Sequence, residues 1–376
     1  MKLLPLLALL LASVASHAQI AAPPPPPGLS SKSYLLLDFQ SGAVLAAKNQ
    51  NEPVEPASLT KLMTAYVVFD ALRQQRIAPD QTVIVSEAAR RAPGSRMFLE
   101  LGSEVTVEEL LHGMIVQSGN DASIALAEAV SGSEEAFVVL MNREASRLGM
   151  LNTRFRNSTG LPHAQHYSTA SDMARLTAGI IHDFPQYFPM YSLREYRHNN
   201  ITQYNRNRLI GRDPHVDGMK TGFTESAGFC LVATAQRNDR RLISVVIDAG
   251  SDNGRVAESQ RLLNYGFEFF DTVKLYASGE PVHQLPVWKG SRQTLRAGFT
   301  DDFYVTYPKG QGEHLHAKLE SMQPLLAPVR AGDAVGTLRL SLADEPYVEH
   351  KVVALESIAV ANMFIRAWHS IRLLFN

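Results

Sequence analysis

The chain has little of what would tie it together covalently or bind it to nucleic acid. A single cysteine, Cys230, stands among 376 residues, so no intrachain disulfide can form and an apolar core must hold the fold. Cys230 lies inside Gly228-Phe229-Cys230-Leu231-Val232, where a free thiol reads as packing. Charge is nearly balanced, 36 Lys and Arg against 37 Asp and Glu for a net charge of −1, which gives no basis for a nucleic-acid partner. The 12 histidines show no His-Glu-x-x-His or comparable spacing, and no glycine-rich loop suits nucleotide phosphates. Neither a metal nor another cofactor is expected. The apolar stretch from Leu3 to Val14 is too short to remain as a membrane span. With Met1-Lys2 before it and Ser16-His17-Ala18 after it, residues 1–18 read as a secretory signal peptide, which places the mature protein outside the cytoplasm.

What remains is ordinary globular composition, 45% hydrophobic and 19% charged, with room for about two domains. Pro23 to Pro27 make residues 19–30 a polyproline spacer. In 31–272, alternating runs predict a hairpin over 33–38 and 43–47, helices over 58–73, 107–116, 122–130, 134–148 and 171–181, strands over 229–235 and 242–248, and a long helix from about 257 to 270. Ser171 is the expected cap of its helix. Helices in the middle and strands at both ends argue for an α+β domain, one mixed sheet flanked by helices. Over 273–355, short Val and Leu segments broken by Pro281, Pro286, Pro308, Pro324, Pro328 and Gly332-Asp333 suggest a small β-sandwich-like domain. In 356–376, Val360, Met363, Phe364, Ala367, Trp368, Ile371, Leu374 and Phe375 share one helical face, and Asn362, Arg366, His369 and Arg372 the other. An amphipathic helix lying in a membrane interface fits this; the competing reading is a helix packed on the β-domain.

Three short stretches carry chemistry. Pro53 and Pro56 precede Ser58-Leu59-Thr60-Lys61, so Ser58 is expected at a helix N-terminus with Lys61 on the same face. A hydroxyl becomes a nucleophile when a base takes its proton, and a lysine serves only when burial or a nearby cation keeps it neutral. Ser118-Gly119-Asn120 follows on a tight link between two helices, where Gly119 is expected to supply the sharp turn. Lys220-Thr221-Gly222 comes third, and Gly222 leaves room for an extended peptide along that strand. One such motif is weak alone; three in this order are specific.

In these motifs the chain resembles the low-molecular-mass penicillin-binding proteins, serine-type D-alanyl-D-alanine carboxypeptidases. The resemblance covers nearly everything after the proline spacer. It implies a β-lactamase/transpeptidase-like fold, an antiparallel sheet with helices on both sides and a helical subdomain, followed by the β-domain and the amphipathic tail. It implies removal of the terminal D-alanine from peptidoglycan stem pentapeptides through an acyl-enzyme on Ser58. Lys61 is then the base, Ser118 a proton relay helped by Lys220, and Asn120 a group that binds substrate amide or orients Lys61. The oxyanion hole falls to the backbone N–H groups of Ser58 and Phe223. Lys220, Thr221, Gly222 and Arg255 are the substrate-binding positions, with Thr221 and Arg255 offered to the terminal carboxylate; a surface arginine opening a helix is the other reading of Arg255. No Asp or Glu occurs in 151–171, where a rapid deacylation base would stand, so β-lactam antibiotics are expected as covalent inhibitors. The implied site of action is the periplasm, at the outer face of the inner membrane. The alternatives are a D,D-endopeptidase of peptidoglycan cross-links and a non-catalytic peptidoglycan-binding scaffold.

Overall fold

A computed structural model describes residues 23–374; the signal-peptide reading and Phe375 lie outside them. Two compact units result, Pro25–Val282 with Phe299–Tyr307, and a second that takes His283–Gly298 and the chain from Pro308 onward. The composition change at Val273 falls inside a strand, Phe270–Tyr276, which pairs with Phe303–Pro308. Thr272 Oγ1 also donates to Asp38 Oδ2 at 2.7 Å, so this stretch packs with the first unit.

The first unit is built on a five-stranded sheet in the order Val44–Lys48, Ser33–Asp38, Arg240–Ala249, Gly228–Arg237, Val216–Thr224. All neighbours run antiparallel, so the sheet is not mixed. Strand alternation explains why helices cover both faces. Leu35, Val232 and Val245 point into one core with the helix Lys61–Arg73. Their neighbours Leu36, Leu231 and Val246 point into another with Leu262 and Leu263 of Asp252–Phe269. Each fully buried leucine is worth roughly 1.5–3 kcal/mol, which lets the fold dispense with disulfides. Cys230 is buried, and burial pushes its thiol up to about 11.

The first core continues into a helical layer, Val107–Val116, Asn120–Ser131 and Glu134–Arg147. Thr106 and Glu109 close a capping box at the first of these, and Ser133 caps the third. The helix Ala170–Asp183 is capped by Thr169 and not Ser171, because the Thr169 side chain accepts from Asp172 N.

In the second unit, Leu315–Ser321, Ala334–Leu342, Glu345–Ala354, Thr294–Gly298, Pro281–Trp288 and Leu325–Leu326 form a six-stranded sheet. The last helix, Met363–Arg372, is capped by Asn362. It turns its polar side to this unit: Lys289 N donates to His369 Nδ1 at 2.8 Å, and the Arg372 guanidinium lies 5.8 Å from the Trp288 ring centre. Met363, Phe364, Trp368, Ile371 and Leu374 are left exposed. That is the reverse of a helix packed by its apolar face.

Candidate active site

Ser58 lies in a 3-10 turn, Ala57–Thr60, that runs directly into the helix Lys61–Arg73. Lys61 is therefore one turn further on, and its Nζ lies 3.1 Å from Ser58 Oγ. The same Nζ donates to Asn120 Oδ1 at 2.7 Å and to the Thr159 carbonyl at 2.6 Å. Burial is the main reason that the Lys61 ammonium is brought down to about 7, with Arg206 assisting and Asp121 and Glu134 opposing.

Asn120 is itself held in place. Its Nδ2 donates to the Pro93 carbonyl at 2.6 Å, which fixes the amide so that Oδ1 faces the amine. The carbonyl of Thr159 is held just as firmly. Asn157 Oδ1 accepts from Gly160 N at 2.7 Å, and Glu134 accepts from both Ser158 N and Ser158 Oγ. A Cβ on Gly160 would lie 1.8 Å from the Ala57 carbonyl oxygen, and its φ is +86°. Glycine is the residue that lets this loop press on the nucleophile's turn.

Ser118 and Lys220 make no hydrogen bond to the Ser58–Lys61–Asn120 group. Ser118 Oγ is buried with no hydrogen-bond partner, and Lys220 Nζ donates to the Thr221 carbonyl at 3.1 Å. The Ser118 hydroxyl is thus left free to bond a bound substrate. Lys220 is fully buried and held well below its ordinary value by burial, then by Lys61, Arg206 and Arg255. The sharp turn in Ser118-Gly119-Asn120 is made by Ser118, whose φ is +69°. Gly119 has an ordinary φ of −58° and is small for another reason: a Cβ there would lie 2.8 Å from Asp121 Oδ1.

Gly222 also has a packing role. A Cβ on it would meet Pro56 O at 3.1 Å and Ala57 Cβ at 3.2 Å, so its missing side chain lets the strand pack on the Ser58 turn. The strand Val216–Thr224 is still an edge, bonded on one side only. Thr221 is buried and Phe223 is exposed, its ring 4.4 Å from that of Phe229. Arg255 does not reach the cleft. It is the fourth residue of the helix Asp252–Phe269, and its Nη1 donates to the carbonyls of Gly222 (2.8 Å) and Cys230 (3.2 Å) while Nη2 pairs with Asp252. Neither a surface arginine nor a free carboxylate clamp, it ties a helix to the strand that carries Lys220.

The cleft over Ser58, about 390 Å³, is lined also by Gly94, Ser95, Asn120, Thr159, Arg206, Phe223 and Thr224. Three contributors were missed in the sequence. Arg206 is the guanidinium of that lining, and its Nε donates to the Gln117 carbonyl at 3.1 Å. Asp121 is buried and accepts from Met97 N, Phe98 N and Leu99 N, clamping the wall that includes Ser95. His166, brought down to about 4 by burial, shares a 2.9 Å hydrogen bond with Thr60 Oγ1 behind the nucleophile. The signal for Asp121 was a carboxylate directly after Asn120; Arg206 and His166 stand in no motif.

No carboxylate lines the cleft. Glu134 is engaged by Ser158 and Asp121 by backbone amides. A buried amine of lowered basicity beside a hydroxyl, in a cleft lacking a carboxylate base, suits acyl transfer through serine.

Comparison with known proteins agrees with that chemistry. Residues 18–251 match the family described as D-alanyl-D-alanine carboxypeptidase, and residues 270–360 match the penicillin-binding protein 5 C-terminal domain. The chain is 40% identical over 358 residues to D-alanyl-D-alanine carboxypeptidase DacC of Escherichia coli, covering 93% of this chain and 90% of that one. Penicillin-binding protein 5 from Haemophilus influenzae superposes with a TM-score of 0.86 at 38% identity, covering 89% of this chain and 99% of that chain. Penicillin-binding protein D2 from Listeria monocytogenes in its ampicillin-bound form gives a TM-score of 0.60 at 29% identity, covering 65% and 100%. With both units matched and Ser58, Lys61 and Asn120 in hydrogen-bond contact, the chain belongs to the D-alanyl-D-alanine carboxypeptidase family of penicillin-binding proteins.

Proposed function

We propose that Ser58 is the acyl-accepting nucleophile with which this carboxypeptidase removes the terminal D-alanine of a peptidoglycan stem pentapeptide. The observation that carries the reading is the 3.1 Å contact between Ser58 Oγ and a lysine whose basicity burial has brought to about 7. A neutral Lys61 has two N–H groups and one lone pair. The two N–H groups satisfy Asn120 Oδ1 and the Thr159 carbonyl, so the lone pair is left for the Ser58 hydroxyl. Ser58 Oγ then attacks the carbonyl carbon between the two D-alanines as its proton passes to Lys61. When the C–N bond breaks, a proton goes to the leaving amine, Ser118 Oγ being the unpaired hydroxyl available to relay it. Water attacks the resulting ester, gives its proton to Lys61, and Ser58 leaves with a proton restored. Because no carboxylate lines the cleft, Lys61 serves as base in this second step too.

The substrate's extended end suits the free edge of Val216–Thr224, which offers backbone groups for an added strand. Arg206 is placed for the terminal carboxylate, since a guanidinium pairs well with that group and this one lines the cleft. Ser58 and Phe223 both line it as well, which supports their N–H groups as the oxyanion donors. Lys220, with Thr221 beside it, stands on the same strand. β-Lactams would acylate Ser58 by the same attack and persist. The test is D-alanine release from a pentapeptide ending in two D-alanines: it should be rapid in the wild type and abolished in Ser58→Ala, and retention of release in the variant contradicts the reading.

We infer further that Met363–Arg372 holds the enzyme to a membrane surface on the periplasmic side. The support is the exposed face of Met363, Phe364, Trp368, Ile371 and Leu374, with the polar side turned inward. Among the described residues no helix is long and apolar enough to cross a membrane.

A further inference from the structure

The loop that gives its Thr159 carbonyl to Lys61 has a second lined face. Thr159, Gly160 and Leu161 face the Ser58 cleft, whereas Leu151, Thr153, Arg154, Arg156 and Tyr167 line a different groove, closed on its other side by Val139 and Asn142 of the helix Glu134–Arg147. Its volume is about 540 Å³, within the range of small-ligand sites. The segment is extended: Arg154 N and O bond to Tyr167 O and N at 2.9 and 3.0 Å, and Phe155 is fully buried with its N–H on Asn142 Oδ1. Side chains two apart in an extended chain share a face, so burying Phe155 turns Arg154 and Arg156 together to the groove.

The lining is specific in charge. Two guanidiniums are present and no Asp or Glu is. Arg156 is held by Gln165 Oε1 through Nη2, yet its Nε is buried without a hydrogen-bond partner. Beside the arginines stand two large apolar side chains open to water, Val139 at 68% and Leu151 at 82% exposed. Guanidiniums next to an aliphatic wall suit a carboxylate whose own carbon carries a small apolar group.

We propose that this groove is a second peptide site, taking a stem peptide that ends in a free carboxylate with an alanine methyl beside it. The inference rests on the carboxypeptidase reading. Each cleavage at Ser58 leaves a peptide that still ends in a D-alanine carboxylate, so the polymer the enzyme works along carries many such ends. The carboxylate pairs with the guanidiniums of Arg154 and Arg156, while the methyl lies against Val139 and Leu151. A second foothold on the polymer would keep the enzyme near further substrate.

The test uses the full chain with its catalytic cleft filled by benzylpenicillin, the adduct being confirmed by intact mass. This acylated protein is titrated calorimetrically with a stem tetrapeptide ending in a D-alanine carboxylate and with its C-terminal amide. Binding of the acid is expected, with the amide at least about tenfold weaker. Arg154→Gln with Arg156→Gln should weaken the acid by at least about tenfold while still taking penicillin, which shows that the variant is folded. Absence of binding to the acylated protein overturns the proposal. So does equal binding of acid and amide, or inorganic phosphate competing as strongly as the peptide, which would mark a general anion site. A protein that takes no penicillin at all overturns the carboxypeptidase reading, and this inference with it.

Discussion

If neutral Lys61 is the base, the pH dependence of acylation follows from its surroundings. Lys61 is fully buried and its ordinary value of 10.5 is lowered to about 7, with burial the largest cause. The active form is the unprotonated one, so the acylation rate should rise with pH and level off above about 7. Two units below that value roughly one Lys61 in a hundred is neutral, so at pH 5 acylation should be about 100-fold slower than on the plateau, with a slope of tenfold per unit. A lysine at 10.5 would instead give a rate still climbing tenfold per unit at pH 9. The assay is the second-order rate of labelling by fluorescent penicillin, read in gels between pH 5 and 9. Arg206→Gln supplies an internal sign check, because removing that cation lets the Lys61 value rise and moves the limb to higher pH. The displacement should be small, since Arg206 is exposed and its field is screened. A rate flat from pH 5 to 7, or one climbing without a plateau to pH 9, would refute the reasoning, as would a limb moving to lower pH in Arg206→Gln.

Two further substitutions probe the frame around this pair. Gly160→Ala places a methyl 1.8 Å from the Ala57 carbonyl, so either the loop or the Ser58 turn must move; displacement of about an ångström should slow acylation about 100-fold, and wild-type labelling would show that the contact is dispensable. Deleting the chain from Met363 onward removes the exposed apolar face without touching the cleft. That protein should leave the membrane fraction with its peptide cleavage intact, and continued sedimentation with membranes would contradict the anchor.

How far the sequence reveals this site depends on which contacts are local. Ser58 and Lys61 are one helical turn apart, so their contact follows from spacing once the helix is recognised. Apolar runs on both sides of the Leu35-Leu36 and Val245-Val246 pairs likewise announce a sheet covered on two faces. The remaining details are long-range. Gly222 reads as an open position, yet it and Gly160 are each small because the Ser58 turn presses on them from more than a hundred residues away. Arg255 carries the chemistry of a carboxylate clamp, but its helix directs it to the carbonyls of Gly222 and Cys230. In Ser118-Gly119 the rule that glycine takes the left-handed turn fails, because Asp121 and Met97 crowd Gly119 and the strain falls on Ser118. A strained, unpaired hydroxyl of this kind is where a local rule is expected to give way to function.

The central claim is that the hydroxyl of Ser58, and no other, is made nucleophilic. Peptide mapping by mass spectrometry after brief exposure to benzylpenicillin tests it directly. The adduct should fall on the fragment containing Ser58 and be absent from Ser58→Ala. An adduct on Ser118 or elsewhere in the wild type, or undiminished labelling of the variant, would contradict the account.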